Sequence, residues 1–154
     1  MSRLIAVATL LVLAAACGSA GTGSAPSPSP SAATPSASSS PALTFKLNGI
    51  GTKAAGTIRV STQSGFITIG LKITGLQANS SHISHIHVGK CSARGAIKFA
   101  LNQVVADGQG DVDIKTTFKA AYPPATGTWY VVVHAGPNMQ GTNSQYLLCG
   151  NLFK

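Results

Sequence analysis

"HISHIHVGKC", residues 82–91, places three of the chain's four histidines within six positions and ends on one of its three cysteines. In an extended strand side chains alternate, so His85 and His87 share a face with Ile83, while Ser84, Ile86 and Val88 take the other. The two histidines then stand about 7 Å apart along the strand, within reach of one shared ion. A third ligand must come from another strand. His134, which closes "WYVVVH" (129–134) on the same face as Tyr130 and Val132, is the candidate, and His82 is either a fourth ligand or a turn residue. Set against this is a plain half-buried strand whose neutral imidazoles are satisfied by hydrogen bonds. Spacing alone does not separate the two.

Working outward, period-two runs bounded by Gly, Asn or Pro recur, and no segment sustains a helical period. Strands are predicted over 43–50, 55–62, 66–74, 83–89, 96–102, 111–118, 128–135 and 145–153. Ile58 and Val60, Ile67 to Ile73 at every second position, and Val112 and Ile114 supply inward faces, while Lys46, Arg59, Lys72 and Lys115 point outward. Eight short strands at this spacing predict an all-β fold, an antiparallel sandwich or flattened barrel.

Composition removes several chemistries. The chain has three acidic residues, Asp107, Asp111 and Asp113, and no Glu, so paired carboxylates for acid–base work are excluded. No serine sits in a nucleophile elbow. Residues 43–154 carry ten Lys and Arg against those three Asp, a balance of +7 that favours anionic surroundings such as lipid head groups or cell-wall polymers. The cations are scattered over separate strands, which argues against nucleic acid.

The amino terminus reads as an export signal. Arg3 precedes the apolar run Leu4 to Ala16, which is too short to span a bilayer. The "AAAC" that ends at Cys17 resembles the lipobox of bacterial lipoproteins, with Ala14 where leucine is usual. The resemblance implies a signal peptide over 1–16, acylation of Cys17, and a lipid membrane as partner at the outer face of the cell membrane. Residues 18–42 contain no charged or aromatic residue and cannot bury enough surface to offset their ordering entropy. With Cys17 they make a tether over 17–42, reaching roughly 25–30 Å as a coil, and leave one domain over 43–154. If Cys17 goes to lipid, Cys91 and Cys149 remain as a pair outside the reducing cytosol and are expected to form a disulfide.

"HIHVGKC", "GAIKFAL" and "WYVVVHAGPNMQGTNSQYLLCGNL" together resemble the copper/zinc superoxide dismutase superfamily, and are most similar to its CHRD-domain relatives in exported bacterial proteins. The resemblance implies an eight-stranded Greek-key β-sandwich with one internal disulfide. It also implies copper ligation by His85, His87 and His134, and Met139 is an added candidate soft ligand. The bridging and zinc-binding histidines have no counterpart here, so no zinc site of the family type is expected. The arginine that attracts superoxide in the family is replaced by Tyr146. Three functions follow as expectations: a surface module that binds one copper ion without catalysis, a weak copper-only superoxide dismutase, or a metal-free structural or wall-binding domain. Whether a protein partner exists is not legible in the residues.

Overall fold

A computed structural model describes residues 41–153. The expected signal peptide, Cys17 and the expected tether up to residue 40 lie outside the described residues.

Alternating apolar and polar residues make the strands: β1 (Leu43–Gly49), β2 (Ala55–Gln63), β3 (Phe66–Thr74), β4 (Ser81–His82), β5 (Ser84–Val88), β6 (Ile97–Ala100), β7 (Val104–Val105), β8 (Val112–Lys119), β9 (Trp129–His134) and β10 (Tyr146–Asn151). Eight of them form one continuous antiparallel array in the order β6-β5-β9-β10-β1-β2-β3-β8. The array folds at β1, whose residues Leu43–Leu47 pair with β2 while Asn48 and Gly49 pair with β10. One half-sheet is therefore β1-β2-β3-β8 and the other β6-β5-β9-β10. The chain crosses between the halves after β3, after β6 and after β8, which is a Greek-key path.

The inward faces meet as predicted. Ile58, Val60, Ile67, Ile69, Leu71 and Ile73 from one half pack with Ile86, Val131, Val133 and Leu148 from the other in one buried cluster. Lys46, Arg59, Lys72 and Lys115 are exposed. The β2–β3 register is fixed by a two-residue turn in which Ser64 and Gly65 both take positive φ, 50° and 80°, the mirror-image turn that matches strand twist. At the open seam, Phe99 of β6 stacks on Phe118 of β8 at 4.5 Å. Beside it, the Asn102 amide N–H donates to Thr116 Oγ1 at 2.8 Å, and its side-chain nitrogen donates to the Lys115 carbonyl at 2.7 Å. Side chains thus close the edges that backbone pairing leaves free.

Two features differ from the sequence expectation. Several strands are shorter than predicted, most of all those over 96–102 and 145–153, which span 97–100 and 146–151, and β4 and β7 form a separate two-stranded ladder, Ser81↔Val105 and His82↔Val104. Two residues per strand are too few for alternation to register. The expected disulfide joins Cys91 to Cys149.

Candidate metal centre

The histidines stand on the outer surface of the β5-β9-β10 half-sheet, opposite the main core. Ser84 and Ile86 of β5 face inward, at 1% and 0% exposure, which leaves His85 and His87 on the outer face. Pairing sets His85 against Val132 and His87 against Tyr130, so His134, two residues beyond Val132, arrives beside His85. The rings lie 5.2 Å apart for His85 and His134 and 6.0 Å for each other pair. One nitrogen from each falls within 4.8 Å of the others. Beneath them a second cluster of Tyr130, Val132 and Cys149, flanked by Cys91 and Tyr146, covers this face. This explains why β9 is buried along its whole length: both of its faces are covered.

Backbone carbonyls fix the tautomers. His87 Nδ1 is 2.9 Å from the Gly95 carbonyl and His134 Nδ1 is 2.8 Å from that of Ser144. A carbonyl only accepts, so each Nδ1 carries the hydrogen and each Nε2 presents a lone pair. His134 Nε2 meets His85 Nδ1 at 3.2 Å, whereas His87 Nε2 is buried with no hydrogen-bond partner. Buried polar atoms are normally satisfied, and leaving one bare is costly. The donor set fits a metal on both counts: backbone carbonyls hold two of the rings in place, as outer partners of metal-binding histidines do, and His87 brings a buried nitrogen with no other partner to the cluster.

Electrostatics favour the neutral form of His85 and His134. Burial holds the His85 pKa below its ordinary 6.5, helped by the nearby His134 and His87. His134 is lowered chiefly by burial; the Ser144 carbonyl opposes this, and His87 and Arg94 reinforce it. Metal competes with protons for imidazole, so lowered values extend binding into acid. Metal affinity is expected to stay level as the pH falls to about 6.5, then to drop with a slope of more than one proton per ion. Titration across this range checks it, and a midpoint at or above 6.5 would mean that the rings are solvated like free imidazole.

His87 and His134 are buried, but His85 is only half-buried, so the cluster opens to solvent on the His85 side. Tyr130 stacks on His87 at 5.2 Å. Tyr146 lies edge-on to both His87 and His134, at 5.7 and 5.4 Å. The guanidinium of Arg94 sits 4.2 Å over the Tyr146 ring. Burial, and then the hydrogen bond and charge of Tyr130, push the Tyr146 hydroxyl well above its ordinary pKa, with Arg94 pulling slightly the other way. At neutral pH Tyr146 is therefore a neutral phenol.

Of the residues singled out in sequence, His85, His87 and His134 come together. His82 stands apart, buried in β4, where its Nδ1 donates to the His134 carbonyl at 2.9 Å and its Nε2 accepts from the Ser80 hydroxyl at 2.8 Å. Both of its nitrogens are engaged, and it serves as a buttress behind the strand end that carries His134. Met139 is exposed in the bends after β9. Sequence reasoning did not single out the Gly95 and Ser144 carbonyls, the Tyr130 floor or the placement of Arg94. Backbone carbonyls leave no residue signature.

Gly95 shows how tightly this support is built. A Cβ there would lie 1.9 Å from the Val88 carbonyl oxygen, so any side chain forces the loop outward and pulls its carbonyl from His87. Gly95→Ala is expected to lower metal affinity roughly 10–100-fold, as loss of an outer-shell partner does. Isothermal titration against the unaltered chain measures this.

No family model matches the chain, and no curated protein matches it. Among solved structures it is similar to the crystal structure of a SOD-like protein from Bacillus subtilis, with a TM-score of 0.58 and 17% identity over 71% of this chain and 97% of that one. The fold is superoxide dismutase-like. An identity this low carries the architecture alone, and the chemistry rests on the histidines themselves.

Proposed function

We propose that this chain is an exported lipoprotein, anchored through acylated Cys17, whose CHRD-type, superoxide dismutase-like domain binds one copper ion through His85, His87 and His134. The observation that carries the reading is the buried Nε2 of His87, bare of partners while a carbonyl locks its ring. Three neutral imidazoles suit copper, and among divalent ions the Irving–Williams order places copper above zinc at a nitrogen site. His85, His87 and His134 would hold the ion, and its chemical contribution there would be one-electron exchange. The chain's own residues favour neutral His85 and His134, orient His87 and His134 through carbonyls, and exclude water from all but the His85 side.

The deciding experiment is a Cu(II) titration followed by electron paramagnetic resonance, beside a His85→Ala/His87→Ala double variant. One tight equivalent with nitrogen hyperfine structure, absent in the variant, supports the reading. Weak or multiple binding that the variant leaves unchanged sinks it and favours the metal-free structural domain. Anchoring is tested separately: Cys17→Ala should release the protein from the membrane fraction.

Arg94 favours a second reading, a weak copper-only superoxide dismutase. Position 146 carries tyrosine where the family places its arginine, yet a guanidinium from the loop after Cys91 lies over that tyrosine and offers positive charge near the half-open side. In dismutation one superoxide is oxidised to dioxygen, and a second takes up that electron and two protons to give hydrogen peroxide. Copper-dependent superoxide consumption that falls on His134→Ala supports this reading. Consumption that persists after the change points to stray metal.

A further inference from the structure

On the opposite side of the sandwich, the outer face of β1-β2-β3-β8 carries an unusual charge arrangement. Register aligns Thr44, Arg59, Gly70 and Lys115 in one cross-strand row and Lys46, Thr57, Lys72 and Asp113 in the next. A third row holds the hydroxyls of Ser61, Thr68 and Thr117. All of these side chains lie at the surface or only half-buried. Asp113, the one acid in the three rows, is held 3.6 Å from Lys72, which leaves Arg59, Lys115 and Lys46 without a countercharge from the face itself. Between Arg59 and Lys115 the absent side chain of Gly70 opens a shallow groove of about 610 Å³ that runs past Ser61 and Thr68.

We propose that this groove docks a linear polymer of repeating phosphates, a phosphodiester polymer of the cell-wall type. Adjacent strands are about 4.8 Å apart, so Arg59 and Lys115, two strands apart, are separated by about 10 Å at the backbone. Both side chains are long enough to meet over Gly70 on one phosphate, and Lys46 in the next row offers a further cation to a following charge along a chain. The hydroxyls between and beside the cations match phosphate and sugar oxygens, and apolar side chains that could enter a bilayer are missing from these three rows. Pro41 and Ala42, which precede β1, line one edge of the groove without filling it, and they carry no charge to complement the face. Docking here would leave the histidine face turned away from the polymer and open. The proposal does not depend on copper.

The test is binding of residues 18–154, free of the lipid anchor, to poly(glycerol phosphate), with phosphatidylglycerol vesicles and duplex DNA compared at equal phosphate. Two variants challenge the face: Arg59→Gln/Lys115→Gln and Gly70→Glu. A Cβ at position 70 meets Arg59 Cβ at 3.7 Å and Lys115 Cγ at 3.8 Å, ordinary contacts, so Gly70→Glu places a carboxylate between the cations without strain. The control, Lys90→Gln/Lys98→Gln, removes two positive charges outside the groove. Both groove variants should lose at least tenfold in affinity, with melting temperatures within a few degrees of the parent. The paired Gln variant should also flatten the salt dependence by roughly two charge contacts, while the control loses under threefold. Equal losses in control and groove variants would reduce the effect to net charge and overturn the proposal. So would tighter binding to vesicles or DNA than to the polymer, or no polymer binding at low salt.

Discussion

Replacing His87 with alanine is expected to lower copper affinity on the order of a thousandfold. Losing an outer-shell partner already costs 10–100-fold, and here a ligand itself is removed. His134→Ala should match it, because the two rings have the same construction: each is buried, and each donates Nδ1–H to a carbonyl. His85→Ala should cost somewhat less, since the half-exposed position lets water fill the gap. The informative contrast is His82→Ala. Its ring reaches only the His134 carbonyl and Ser80, so copper affinity should change by less than about tenfold while stability falls by about 1–2 kcal/mol, the cost of a buried hydrogen-bonding group. Copper titrations and denaturant melts on the four variants read the two effects separately. A thousandfold loss of affinity at His82 would overturn the three-ligand assignment.

The parts of this centre that were legible in the sequence are those that alternation controls. Alternation put both histidines of the H-x-H of β5 on one face and set His134 on the face of Tyr130 and Val132, while folding decided that Ile86 takes the core and the histidines the outer surface. The eight-stranded array was legible for the same reason, since Ile67 to Ile73 alternate without a break. What escaped was set by tertiary contacts. The β4–β7 ladder is too short to alternate. The orienting carbonyls belong to Gly95 and Ser144, residues chosen for backbone shape. Arg94 reaches Tyr146 only because the loop after β5 is tied back to β10, a closure that needs the folded geometry of Cys91 and Cys149. Tyr146, noted in sequence only as a departure from the family, turns out to be the surface on which that arginine rests.

That tie carries the second large effect. The Cys91–Cys149 bridge closes a separation of 58 residues, which in the chain-entropy model stabilises the fold by about 4 kcal/mol. For a domain of this size, Cys91→Ala/Cys149→Ala should lower the melting temperature by roughly 10–20 °C. Alanines serve better than chemical reduction, because free thiols would themselves bind copper. The bridge also anchors the loop that supplies the Gly95 carbonyl and Arg94, so affinity should fall as well, but less steeply than stability. Other bonds still hold that loop: the Cys91 amide to Asn151 Oδ1 at 2.9 Å, the Gly95 amide to the Tyr130 hydroxyl at 2.9 Å, and the Val88 amide to the Ala96 carbonyl at 3.0 Å. A loss of about tenfold at a temperature well below melting is the expected value, within the range of outer-shell changes. On the proposed copper reading, in which only the folded state holds the ion, adding it at a hundred times its dissociation constant should return about 2.7 kcal/mol to the variant, more than half of what the missing bridge removed. Thermal melts of the variant with and without copper measure this directly. A variant that copper fails to stabilise would mean that the loop, and with it the orientation of His87, depends on the disulfide rather than on the hydrogen bonds that survive it.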